Sequence, residues 1–287
     1  MPKPSNDLRK LIGAKSSVPR CWPPATFEAV VAEIEKEATE RGLDQKPWIA
    51  ITIATVMTLG SPESVTAVAK HLVKTIPPND VVAAVEFARE VGVMGMAMNG
   101  APWTITMLAI FCESLPTAIK KSLRSTPSRH TNGLVATSTP LRGRTLWEQI
   151  HYPFADKLEQ KFGRVHPDLP SLVVKNVYGD LFCNSVCESD RTIGRVTTSL
   201  SAIACLRAKS KCAPLDFEAQ LFDHVCGLKN AWRDGTWKSE PGIGTGGAVE
   251  WLLKDEGCIW VLEKVDRLST ALGLPAYTPP SQGRSKL

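Results

Sequence analysis

The chain has 287 residues, 43% of them hydrophobic and 22% charged, a globular composition that excludes a disordered or fibrous protein. The net charge of +5 is mild, and its Lys and Arg residues are scattered among acids rather than set in a stripe, which excludes a nucleic-acid partner. The eight cysteines lack the regular spacing of a secreted disulfide scaffold and no secretory signal peptide is evident, so they read as reduced thiols in an intracellular compartment.

Residues 1–24 read as a flexible basic arm, with Lys3, Arg9, Lys10, Lys15 and Arg20 against one acid, Asp7. Leu8, Leu11 and Ile12 could share a helix face, the profile of a weak mitochondrial presequence, although Pro2 and Pro4 oppose a long helix. A first helical half follows over residues 25–123. Phe27, Val30, Val31, Ile34 and Ala38 mark an amphipathic helix face. Trp48 to Leu59 is an apolar run rich in Ile and Thr; propensity alone would allow a strand, but no partner strand lies nearby. Ser61-Pro62-Glu63 reads as an N-cap with proline at the first helical position, and Pro77-Pro78-Asn79-Asp80 breaks the chain before a helix with Val81, Val85 and Ala88 inward. Val91 to Cys112 carries no charge and is long enough to cross a bilayer. Asn99-Gly100-Ala101-Pro102 interrupts it, which predicts two buried core helices joined at a bend and no membrane span.

Residues 124–144 are rich in Ser, Thr, Pro and Gly and read as a linker or surface loop. The second half covers residues 145–277. It opens with Leu146, Ile150, Phe154, Leu158 and Phe162 at four-residue spacing, with Pro153 expected as a kink. Further helices are expected over Val173–Cys187, from a cap at Ser189 or Asp190 to Ala208, over Phe217–Ala231, and along Leu262, Val265, Leu268 and Leu272. Gly242, Gly244 and Gly247 form a Gly-x-Gly-x-x-Gly that no strand precedes. The loop therefore reads as one that caps the next helix and contacts an anion or a neighbouring subunit, not as a dinucleotide site. Residues 278–287 form a flexible tail ending in Ser285, Lys286 and Leu287, the pattern read by the peroxisomal import receptor, which predicts a peroxisomal matrix location.

Each half carries a histidine on a helix that follows a helix of small apolar residues, the outline of an internal repeat. In the second half, ESDRTIGRVTTSLSAIACLRA and then HVCGLKNAWRDG, with His224, Gly227 and Asn230, resemble the carboxymuconolactone decarboxylase and AhpD superfamily. In the first half, His71, Glu86, Gly100 and Pro102 are similar to the same family's histidine, glutamate helix and Gly-x-Pro segment. The two matches cover well over half the chain and resemble the tandem-domain peroxisomal type found in fungi. The resemblance implies an all-α, AhpD-like helical fold of two tandem pseudo-repeats that assembles as a homo-oligomer, a trimer or a dimer. It also implies either thiol-based peroxide reduction or cofactor-free decarboxylation and isomerisation of lactones and related acids. The thiol version needs Cys-x-x-Cys ahead of the histidine. Here Ser64 and Ala67 precede His71, and Phe217 and Gln220 precede His224, so AhpD-type disulfide reduction is not expected.

The candidate catalytic residues are His224 as general base, Glu188 and Arg191 to hold a carboxylate substrate, and His71. Lys70 and Lys74 place His71 on a solvated helix face. Cys183 and Cys187 share a helix face, but no further ligands stand at zinc-like spacing, so neither a metal nor another cofactor is expected. The leading expectation is acid–base chemistry, decarboxylation or lactone conversion, on a small carboxylic substrate that the sequence does not name. A non-catalytic binding or assembly protein on the same fold is the alternative, and a thiol-dependent antioxidant the third.

Overall fold

A computed structural model describes residues 26–127, 129, 133–183 (backbone alone over 133–138), 193–212 and 217–275, together with Ser5, Asn6, Leu8 and Lys10. It is all-α, with no strand among the described residues. Helix α1 (Phe27–Glu40) buries Phe27, Val31, Ile34 and Ala38, the face its periodicity predicts. Helix α2 (Gln45–Leu59) ends at Gly60, whose φ of 69° is the left-handed conformation that glycine adopts without strain. Helix α3 (Pro62–Thr75) starts at Ser61, whose hydroxyl accepts the Ser64 amide at 3.3 Å. There follow α4 (Val81–Met94), α5 (Met96–Asn99), α6 (Ala101–Glu113) and α7 (Thr117–Ser122). The second half contains α8 (Gly133–His151), α9 (Ala155–Val165), a turn at Leu169–Ser171 that runs into a π-helix (Leu172–Leu181), and α10 (Arg195–Cys212). It closes with α11 (Glu218–Asp234), a 3-10 turn (Thr236–Ser239), α12 (Gly246–Leu252) and α13 (Asp255–Ala271).

Helices α2 and α10 form the centre and pack on each other. Neither has a polar face: α2 is buried from Pro47 to Thr58 and α10 from Arg195 to Leu206, as expected of helices covered all round. Several of their hydroxyl residues fit there because they return the proton to the preceding turn. Thr55 donates to the Ile51 carbonyl at 2.7 Å and Ser201 to the Thr197 carbonyl at 2.8 Å. The ambiguous Trp48–Leu59 run is thus a central helix whose β-branched residues meet neighbours on every side. Helix α13 covers α2 and α10 and reaches α1, while α11 bridges α10 to α8. The two sequence halves therefore share one apolar core.

Several expectations need correction. The segment read as a linker is helical from Gly133 onward, with Pro140 inside α8. Pro153 does not kink one long helix. It sits in the turn that separates α8 from α9, and Phe154 is exposed there. The uncharged Val91–Cys112 run breaks twice, at Gly95 and at Gly100, and α6 buries only Thr104, Met107 and Phe111, so its second part is a half-exposed helix rather than a core one. No helix of the described residues is long and apolar enough to cross a membrane. The start of α10 is capped from a distance. The buried Glu240 carboxylate accepts the amides of Val196 at 2.7 Å and Thr197 at 3.0 Å, and the Thr197 hydroxyl at 2.6 Å. Ser189 and Asp190, the expected caps, lie outside the described residues. The glycine loop lies against the α1–α2 turn of the same chain: Lys46 donates its amide to the Gly242 carbonyl at 3.3 Å, and Thr245 donates its amide to Gly42 at 3.1 Å.

Candidate active site

His224 lies on α11, buried between α10 and α8. One turn further along, Gly227 lets α11 approach closely: a Cβ there would lie 2.9 Å from Ile150 Cγ2 and 3.0 Å from Ser199 Oγ. Asn230 donates from Nδ2 to the Ile150 carbonyl at 3.2 Å and to the Tyr152 carbonyl at 2.9 Å, fixing the end of α8. Gly227 and Asn230, picked out beside His224 in sequence, therefore hold α11 against α8. That contact brings His224 to His151, the last residue of α8, with ring centroids 5.9 Å apart.

His151 is buried against Trp147, one turn earlier on α8, at 3.9 Å between centroids. Its Nε2 bonds the Tyr178 hydroxyl at 2.7 Å. Tyr178 arrives on the π-helix, which packs tightly on α8 at two glycines. A Cβ on Gly143 would lie 2.3 Å from the Val174 carbonyl oxygen, and one on Gly179 would lie 2.8 Å from the Thr139 carbonyl oxygen. Trp147, His151, Tyr178, Phe182, Asp223 and His224 line a cavity of about 230 Å³. A second cavity of about 370 Å³ opens beside it, with His151 and Asp223 again in its wall and Tyr152, Phe222 and Arg233 at its rim.

The electrostatics are those of a dry site. Burial, with His224 close by, pushes the His151 imidazole down to about 3, and burial alone pushes His224 down to about 4. Both rings are therefore neutral at neutral pH, and His224 is a weak base. Burial drives the Tyr178 phenol far up, so it keeps its proton. Burial also raises the Asp223 carboxyl, with Lys161 drawing it partly back. The Nδ1 atoms of His151 and His224 are buried with no hydrogen-bond partner among the described residues, although each residue is less than one tenth exposed. Orphaned polar atoms of that kind cost about 1–3 kcal/mol each, so two in one cavity mark a place where a polar ligand is welcome. The Tyr178 bond sets the tautomer. If the phenol donates to Nε2, His151 presents Nδ1–H as a donor; the reverse bond leaves Nδ1 an acceptor.

His71, the other described candidate, is not brought to this cavity. His71 is not on a solvated face: its Nε2 meets Glu35 Oε2 at 2.6 Å, its ring stands edge-on to Trp48, and its side chain is 9% exposed. The neighbouring lysines misled because α3 turns the histidine back onto α1. Glu86 is held by the Arg89 guanidinium at 2.9 and 3.0 Å and accepts the Arg124 amide at 2.5 Å, so it does not serve His71. Glu188, Arg191 and Cys187 lie outside the described residues, as do Ser285, Lys286 and Leu287. Burial pushes the Cys205 and Cys258 thiols up to about 11 and raises Cys226, the opposite of an activated thiolate. Among the described residues no three metal-ligating side chains come together.

The sequence did not single out Asp223, His151 or Tyr178. The signal for His151 was its place four residues after Trp147, beside the apolar stripe that drew attention instead. Nothing local marks Tyr178, which the fold delivers from a separate segment. The chain was compared with protein-family models, with curated proteins and with solved structures, and none of them matches it.

Proposed function

We propose that this chain is a cofactor-free acid–base enzyme acting on a small carboxylic or acyl substrate, on a tandem carboxymuconolactone decarboxylase-like fold. The observation that carries the reading is the pair of buried, neutral imidazoles with unpartnered Nδ1 atoms at a cavity that also holds Asp223. In this reading the two imidazoles hold the substrate oxygen, where negative charge develops in a low-dielectric pocket. Asp223, with its carboxyl raised by burial, takes over from His224 the role of proton acceptor. Tyr178 fixes the tautomer of His151. Arg233 lies over the Tyr152 ring at 4.3 Å and makes no ion pair among the described residues, which suits it to receive the substrate carboxylate in place of Arg191.

The test is solvent deuterium uptake. The chain is incubated in heavy water with a panel of small acyl and lactone carboxylates, and the panel is read by mass spectrometry. The parent should introduce deuterium into at least one compound, and Asp223→Asn should slow that by a factor on the order of 10²–10⁴. A panel left unlabelled, with the melting temperature of the parent unmoved by every member, would sink the reading. Import into the peroxisomal matrix is part of the proposal where Ser285, Lys286 and Leu287 form the free C-terminus. A fluorescent fusion should lose its punctate location when the three are deleted, and unchanged puncta would refute it.

Homo-oligomeric assembly is the second element. One observation favours it: α6 turns Ile105 and Ala109 outward, with Ile105 67% exposed.

A further inference from the structure

A cavity of about 590 Å³ lies far along the chain from His224, between α1, α2 and α4. Glu35, Asp44 and Asp80 line it, together with Trp48, Phe87 and one base, Lys46. Lys46 stands in the first turn of α2, and the glycine loop shapes its course. The Gly242 carbonyl accepts the Lys46 amide at 3.3 Å, and a Cβ on Gly242 would crowd the lysine stem at 3.2 Å from Cε. The Nζ ends 5.6 Å from the Phe87 ring centroid and makes no ion pair among the described residues. Burial lowers its pKa, and Glu240 opposes this only in part. A half-buried amine against an aromatic ring, with no carboxylate on it, is the arrangement that lets lysine react as the neutral nucleophile.

The lining also states what the partner must be. Three carboxylates against a single amine repel an anion, and Glu35 is already committed to His71. The aromatic and aliphatic wall favours an apolar body. We propose that Lys46 is a nucleophilic amine that condenses with an uncharged aldehyde or ketone held in this cavity. The Nζ lone pair attacks the carbonyl carbon and forms the C–N bond, and the carbonyl electron pair passes to oxygen, which takes a proton. The nitrogen loses its proton, and water then leaves to give the imine. Amine and carbonyl become imine and water, with no oxidant or reductant consumed. Asp44 and Asp80 line the same space and can exchange the protons. This site stands apart from the His151–His224 cavity and does not depend on the function proposed for it.

The experiment treats the full chain with hexanal and sodium cyanoborohydride near neutral pH, which reduces any imine to a stable alkyl-lysine, and maps the adducts by peptide mass spectrometry. Lys46 should be alkylated faster than the exposed Lys36, because the buried amine holds more of its population neutral. Lys46→Arg, checked for its fold by circular dichroism, should abolish the fast adduct and leave the slow ones. Labelling of Lys46 no faster than Lys36 in the parent overturns the proposal without reference to any variant. Faster labelling of Lys46 by glyoxylate, which is anionic, overturns the assigned class of ligand.

Discussion

At the scale of single residues, the two buried imidazoles make stability depend on pH in a defined direction. His151 and His224 titrate at about 3 and about 4 in the folded chain, below the ordinary 6.5. As pH falls below 6.5 the unfolded chain takes up protons that the folded chain refuses. Stability from these groups is therefore complete above 6.5 and is lost as pH falls toward 4, at about 1.4 kcal/mol per unit for each ring. The raised Asp223 carboxyl acts in the opposite sense, since it favours the folded state on acidification. One carboxyl against two rings leaves the histidines dominant. The measurement is the melting temperature across that window. The parent should lose more on acidification than His224→Gln, and equal losses would show that His224 is not held neutral. Such a residue is half legible in a sequence. His224 stood out because its helix carries a pattern, but its weak basicity comes from burial, which depends on Ile150, Ser199 and the π-helix arriving from elsewhere.

At the scale of elements, amphipathic helices were readable and the covered ones less so. Helix α1 follows its apolar spacing because one face meets the core and the other meets water. Helices α2 and α10 have no such contrast, and their Thr and Ser residues look like strand or surface residues until the hydroxyl bonds back along the helix are seen. The cap of α10 was not readable at all, because Glu240 is 44 residues beyond the Val196 amide that it accepts. Replacing Glu240 with Ala removes the acceptor for two buried amides and a hydroxyl, and should lower stability by roughly 3 kcal/mol in urea unfolding. A loss within about 0.5 kcal/mol, the range of ordinary surface substitutions, would mean that α10 is capped by something else.

At the scale of the whole molecule, the halves are fastened by charge as well as by the core. Glu90 on α4 is 4% exposed and takes Arg124 at 2.6 Å and Arg129 at 2.9 Å. Arg129 in turn donates to the carbonyls of Asp180, at 2.8 Å, and Leu181, at 3.0 Å, at the end of the π-helix. The segment that carries Tyr178 to His151 is thereby tied to the first half. The outward face of α6 is the corresponding feature for contact between copies. If it pairs copies of the chain, Ile105→Glu should shift sedimentation equilibrium to the monomer mass while leaving helix content intact. A parent that is already monomeric would remove α6 from consideration.

Helix α2 is synthesised early and packs on α1, α3 and α4 of the first half, yet the rest of its circumference is covered by α10 and by α13, which ends at Ala271. A nascent chain that stops short of α13 therefore leaves the sides of α2 that meet α10 and α13 open to water, and those sides carry no wettable face. The core around α2 cannot be completed half by half as the ribosome delivers the chain. It has to wait until nearly all of the chain has emerged, and the exposed α2 is the surface that a chaperone would need to shield in the interval.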